Sequence, residues 1–160
     1  MKKLFLFFSL SLMLIALIAC TSDTNEVVYE LPDNRWDLSP SFEHSIVNKD
    51  GEETTYTIVG KQDTLGFTGD IIMDVEKIHK IFWFYFGKEN ILDKPVEVKA
   101  VKKDTEDIID LHSGTFYKGA EVSPDSVNMP SNIKFPTAGV WKFLVYIDGE
   151  FYESIVVEVN

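Results

Sequence analysis

Residues Val140–Val159, "VWKFLVYIDGEFYESIVVEV", read as two β-strands joined by Asp148-Gly149. A two-residue type I′ turn needs positive φ at both positions, and Asp-Gly supplies it at little steric cost. Along the first arm Trp141, Phe143, Val145 and Ile147 share one face, with Lys142 on the other. The tryptophan face is therefore expected to point into a core and the lysine face toward water.

Working outward, the same punctuation recurs. Pro95–Val101 places Val96, Val98 and Ala100 on one face and Glu97 and Lys99 on the other, the mark of a sheet with one wet side. Lys103-Asp104-Thr105-Glu106 turns the chain, and Asp107–Leu111 is expected to return. Earlier, Phe42–Val47 and Thr54–Val59 flank Asn48-Lys49-Asp50-Gly51 as a second hairpin. Leu65–Phe67, Ile71–Val75 and Ile133–Phe135 are shorter candidates. Asp70–Lys80 also fits a helical period through positions 71, 72, 75 and 78. Residues 113–131, rich in Gly, Ser, Pro and Asn, read as a long loop that is functional, mobile or hides a short element. The pattern predicts an all-β fold, an immunoglobulin-like antiparallel β-sandwich of about seven or eight strands.

One strand carries two apolar faces. In "HKIFWFYFGK", His79–Lys88, six apolar residues run together and five are aromatic. His79, Ile81, Trp83 and Tyr85 alternate with Lys80, Phe82, Phe84 and Phe86. Each aromatic buries roughly 150–250 Å² when covered, so leaving the phenylalanine face in water would forfeit several kcal/mol at ~25 cal/mol per Å². Trp83 is expected in the core. Phe82, Phe84 and Phe86 need a cover, either from this chain or from a ligand, and Phe116 and Tyr117 of the long loop are the second candidate contact.

The N-terminus carries a different kind of signal. Met1-Lys2-Lys3 is basic, Leu4–Ile18 is apolar apart from Ser9 and Ser11, and Leu17-Ile18-Ala19-Cys20 closes the run. This is the order of a secretory signal, and the apolar run falls short of the ~20 residues a spanning helix needs. Residues 1–19 are thus expected as a signal helix that is removed. Residues 20–33 are then a cysteine and flexible tether, and 34–160 the domain. The ending resembles the bacterial lipobox, and that resemblance implies diacylation of Cys20 and anchoring to the extracytoplasmic face of the cell membrane. Cys20 is the only cysteine, so an exported chain has no disulfide framework. Two acyl chains suffice for stable anchoring.

The leader holds two of the 15 basic residues and none of the 26 acidic ones, so 13 face 26 from Cys20 onward, a formal charge of −13. Such a chain repels phosphate backbones, which argues against nucleic-acid binding.

Three patches look familiar together: Trp36-Asp37-Leu38-Ser39-Pro40-Ser41-Phe42, Trp83–Gly87, and Met129-Pro130-Ser131 with Pro136–Lys142 and Ile155–Val159. With the lipobox they resemble a family of uncharacterised lipoproteins of bacillus-like Gram-positive bacteria, a domain of unknown function with an immunoglobulin-like β-sandwich. The resemblance implies a location and a fold, with no catalytic residues to carry over.

Motifs for chemistry are sparse. There is no Gly-x-Ser-x-Gly elbow. His44, His79 and His112 lack the local spacing of metal ligands. No catalytic residue, cofactor or metal is expected. The leading expectation is a non-catalytic binding module at the cell envelope, with an envelope protein or a wall glycan as partner. The alternative is a metal- or small-solute-handling lipoprotein that uses the three histidines.

Overall fold

The computed structural model describes residues 33–105, 107–119 and 123–160, and Arg35–Asn160 form one compact unit. The expected signal helix, Cys20 and all of the expected tether except residue 33 lie outside the described residues. The fold is all-β. Eleven strands are present among the described residues: β1 (Ser41–Val47), β2 (Glu53–Gly60), β3 (Leu65–Thr68), β4 (Ile72–Met73), β5 (His79–Tyr85), β6 (Pro95–Lys102), β7 (Ile108–Thr115), β8 (Tyr117–Lys118), β9 (Val127–Ile133), β10 (Gly139–Ile147) and β11 (Glu150–Val159).

They form two sheets, ordered β1-β2-β3-β5-β9-β8 and β4-β11-β10-β6-β7. β3, β5, β9 and β8 occupy the places of strands A, B, E and D in an immunoglobulin sandwich, and β6, β10 and β11 those of C, F and G. To this frame the chain adds the β1–β2 hairpin beside β3, the edge strand β7 beyond β6, and the short β4 parallel to β11.

Local chemistry explains the C-terminal hairpin. Asp148 and Gly149 both have positive φ, 57° and 80°, and β10 pairs with β11 from Gly139↔Val159 to Ile147↔Glu150, with one bulge at Val145/Tyr146. The Asn48–Gly51 turn is built differently from the tight turn expected. Only Gly51 has positive φ, and Asn48 Oδ1 closes the loop by accepting the N–H groups of Asp50 and Glu52, each at 2.9 Å.

Three expectations are corrected. Asp70–Lys80 is not helical: Ile72 and Met73 pair with Glu158 and Val159 of β11, and Glu76 turns the following loop at φ 66°. The strand expected at Ile133–Phe135 instead begins at Val127, inside the supposed long loop, because Asn128–Ile133 find partners on β5. That loop also contains the last residues of β7 and all of β8.

The inner faces meet in one core. Trp83, Phe67, Phe143 and Phe135 are all buried, with ring centroids 5.2–5.6 Å apart in the contacting pairs. Such tilted and edge-on contacts suit the ring quadrupole. Trp83 Nε1 donates to Ser131 Oγ at 2.9 Å, and Trp141 Nε1 to the Thr137 carbonyl at 3.0 Å, so both indoles are satisfied as they are buried.

The outer face of the second sheet is drier than its lysines suggested. Lys142 is fully buried, with Nζ 4.5 Å from the Trp36 ring centroid. The segment leading into β1 holds Trp36 there. Ser39 N–H donates to the Val156 carbonyl at 3.0 Å and Val156 N–H to Ser39 Oγ at 2.9 Å. A cation over an indole face is attracted by the ring quadrupole, which offsets part of the cost of removing Lys142 from water.

Candidate functional site

The phenylalanine face of β5 is covered by the chain itself. β1 and β2 lay a second, smaller apolar cluster against it: Ile46, Ile58 and Phe84 are buried, with Phe42, Tyr56, Phe82 and Phe86 packed around them. The His44 ring meets Phe84 and Phe86 edge-on at 5.5 and 5.1 Å, and Phe42 meets Phe86 at 5.6 Å. Ser123 Oγ donates to the Val47 carbonyl at 3.0 Å, tying the end of β1 to the segment before β9. Burying one such ring contributes about 1.5–3 kcal/mol, so this cover is part of the fold.

The five candidate contact residues therefore separate. Phe84 and Phe116 are buried, Phe82 and Phe86 half-buried, and Tyr117 half-exposed. Phe84 and Phe86 floor a cleft of about 400 Å³ whose walls are His44–Val47 on one side and Ser123, Asp125 and Ser126 on the other. Phe116 packs on Tyr85 at 6.1 Å and bridges to Leu92. Tyr117 belongs to a different groove. Cys20 lies outside the described residues.

The three histidines of the alternative reading are not brought together. His44 sits on β1 over the aromatic cluster, His79 opens β5 with Nε2 2.8 Å from the Asp74 carbonyl, and His112 lies on β7 in the other sheet. Among the described residues no group of three His, Cys, Asp or Glu side chains could hold a metal ion. Burial pushes the imidazoles of His44 and His112 below their ordinary range, because desolvation disfavours the charged form.

Sequence reasoning missed the surface around β6 and β7. Two shallow clefts of about 440 and 470 Å³ share Glu97 and Ser113 and run from Asp110 to Tyr117. Lys99 bridges the strands there, with Nζ 2.6 Å from Asp110 and 3.2 Å from Glu97. Burying the lysine stem while pairing its head explains why this residue, expected on a wet face, is covered. The sequence signal was weak, since Gly114 interrupts the run Ser113–Thr115 with a residue depleted in strands. Pairing with Pro95–Glu97 makes it a strand.

Residues 26–157 match the domain of unknown function DUF4871, a match that begins inside the expected tether. No curated protein matches the chain. A crystal structure of a candidate lipoprotein from Bacillus anthracis is similar with a TM-score of 0.56 at 14% identity, covering 80% of this chain and 88% of that one. At that identity the likeness is one of fold. A superoxide reductase (neelaredoxin) from Ignicoccus hospitalis reaches a TM-score of 0.41 at 10% identity over 61% of this chain and 81% of that one, too distant to carry an argument. The extent of the sequence match decides membership: the chain belongs to the family of the domain of unknown function DUF4871.

Proposed function

We propose that this chain is a lipid-anchored extracytoplasmic protein that acts as a non-catalytic binding module at the cell envelope. The observation that carries the reading is Cys20, the single cysteine, placed directly after Leu17-Ile18-Ala19 and a basic and apolar leader. Likeness to the fold of a candidate lipoprotein supports it. So does a surface that offers shallow clefts and a free sheet edge. The partner is an envelope protein or wall glycan rather than a nucleic acid, since the charge of −13 from Cys20 onward repels phosphate backbones.

Metabolic labelling with an alkyne-tagged palmitate in a Gram-positive host expressing the full chain tests the anchor. Label in the membrane fraction, lost in Cys20→Ser together with membrane retention, is the expected result. A Cys20→Ser protein that stays labelled and membrane-bound would sink the reading.

A further inference from the structure

We propose that the free edge of β7 takes up an extended, lysine-bearing peptide segment of an envelope protein as an added strand. The inference rests on the binding-module reading and names its surface and partner class. β8 and β4 are two residues long, and β4 is continued along β11 by Ser39. β1 is bound to Ser123 through the Val47 carbonyl. β1 and β7 are both long edges, seven and eight residues, and each pairs with one neighbour among the described residues; β7 is distinguished by the two clefts beside it, lined by Asp93, Glu97 and Asp110.

A strand at a sheet edge turns every other N–H and C=O outward, a template for another chain. Proteins usually guard such an edge with lysine, proline or a bulge. β7 has no lysine and no proline; it carries one bulge, at Leu111, where the pairing passes from His112 to Asp110, with regular ladder on either side of it. Ladder bonds supply affinity in this mode of recognition, and side-chain neighbours supply specificity.

Charge selects the occupant. Asp107–Thr115 contains two carboxylates and no lysine or arginine. Asp110 has a side chain 84% exposed, and Glu97 and Asp93 line the adjoining clefts. The one lysine lining them, Lys99, is already held between Glu97 and Asp110. A second copy would bring the same carboxylates against its own, which is unfavourable. A strand with lysines at alternate positions places ammonium groups beside Asp110 and toward Glu97, with half-exposed Tyr117 at the end of the groove.

Hydrogen exchange read by mass spectrometry on the full lipidated chain in detergent micelles tests this. The probes are a blocked alternating lysine–valine hexapeptide and its glutamate–valine counterpart. The lysine peptide is expected to slow exchange across Ile108–Thr115, and the glutamate peptide is not. Reversal of both carboxylates, Glu97→Lys with Asp110→Lys, should exchange the preference and weaken the lysine peptide by about ten-fold, because both rim pairs become repulsive. The milder Glu97→Gln with Asp110→Asn should weaken it without reversal, which guards against a reversal variant that folds poorly. Equal protection by both peptides, protection of β7 by self-association without peptide, or no protection at all would overturn the proposal. Protection confined to another surface would also remove the β7 site while leaving a binding module in place. Palmitate labelling of Cys20 tests the anchor independently of every one of these outcomes.

Discussion

The indole of Trp83 meets the ring of Phe143 edge-on at 5.4 Å, 89° between planes, across the two sheets. These residues lie on β5 and β10, the counterparts of the two strands that a disulfide joins in antibody domains. Here, with no cysteine after Cys20, an aromatic contact takes over the joining of the sheets. Phe143→Ala should cost about 3–5 kcal/mol, the usual range for a buried phenylalanine, read as a lower urea midpoint. Ser131→Ala should cost about 1–3 kcal/mol, because it strands the Trp83 N–H. A Phe143→Ala loss below about 1 kcal/mol would show that the junction bears little of the stability.

Two glycine substitutions separate backbone strain from crowding. At Gly149, φ 80°, an added Cβ meets nothing within 4 Å, so Gly149→Ala should cost only the left-handed penalty of about 1–2 kcal/mol. At Gly66 a Cβ would run into Ile58 Cγ2 and lie 2.9 Å from the Val59 carbonyl oxygen. Gly66→Ala should therefore be the worse of the two, by roughly 1–3 kcal/mol of overpacking. Equal midpoints in thermal denaturation would contradict this assignment.

Acid should destabilise the domain through its half-buried imidazoles. His44 and His112 both have folded-state pKa values lowered by burial, so the unfolded chain binds protons more readily. The associated stability is complete above the unfolded pKa, near 6.5, and is lost as pH falls through the lower folded value. Urea midpoints measured on either side of pH 6.5 should fall on the acid side. His44→Phe should flatten that slope, and an unchanged slope in both His44→Phe and His112→Phe would remove the histidines as its cause.

Glu153 is a buried carboxylate that accepts from three donors. Lys61 Nζ at 2.8 Å, Thr64 Oγ1 at 3.0 Å and the Ser154 N–H at 2.9 Å all reach it. Glu153→Leu should destabilise by about 2–4 kcal/mol, because it leaves Thr64 and a backbone N–H without their acceptor. Thr64→Val removes one donor and should cost about 0.5–1.5 kcal/mol. Chemical denaturation of both variants checks the order, and a Thr64→Val loss larger than that of Glu153→Leu would refute this account.

Legibility followed the range of the interactions. The β10–β11 hairpin, the inward tryptophan face and the alternation of β6 could be read from residues a few positions apart, because side-chain period and turn φ are local properties. β9 could not, since Val127–Ile133 carries Asn, Pro and Ser and becomes a strand by pairing with β5. Lys142 and Lys99 were misassigned to a wet face for a related reason. Whether a sheet's outer face is wet depends on what crosses it, here Trp36 over Lys142 and the carboxylates beside Lys99.

The sequence by itself determined the class of fold, the hairpin turns, the acidic charge and the lipobox-like cysteine, all carried by adjacent or periodic residues. Tertiary structure decided which surfaces remain open. It laid the β1–β2 hairpin over Phe84, set the three histidines on separate strands and left β7 at a sheet edge beside two carboxylate-lined clefts. Those outcomes depend on where a strand forty or eighty residues away comes to rest, a choice made by the summed burial of both sheets rather than by any local preference.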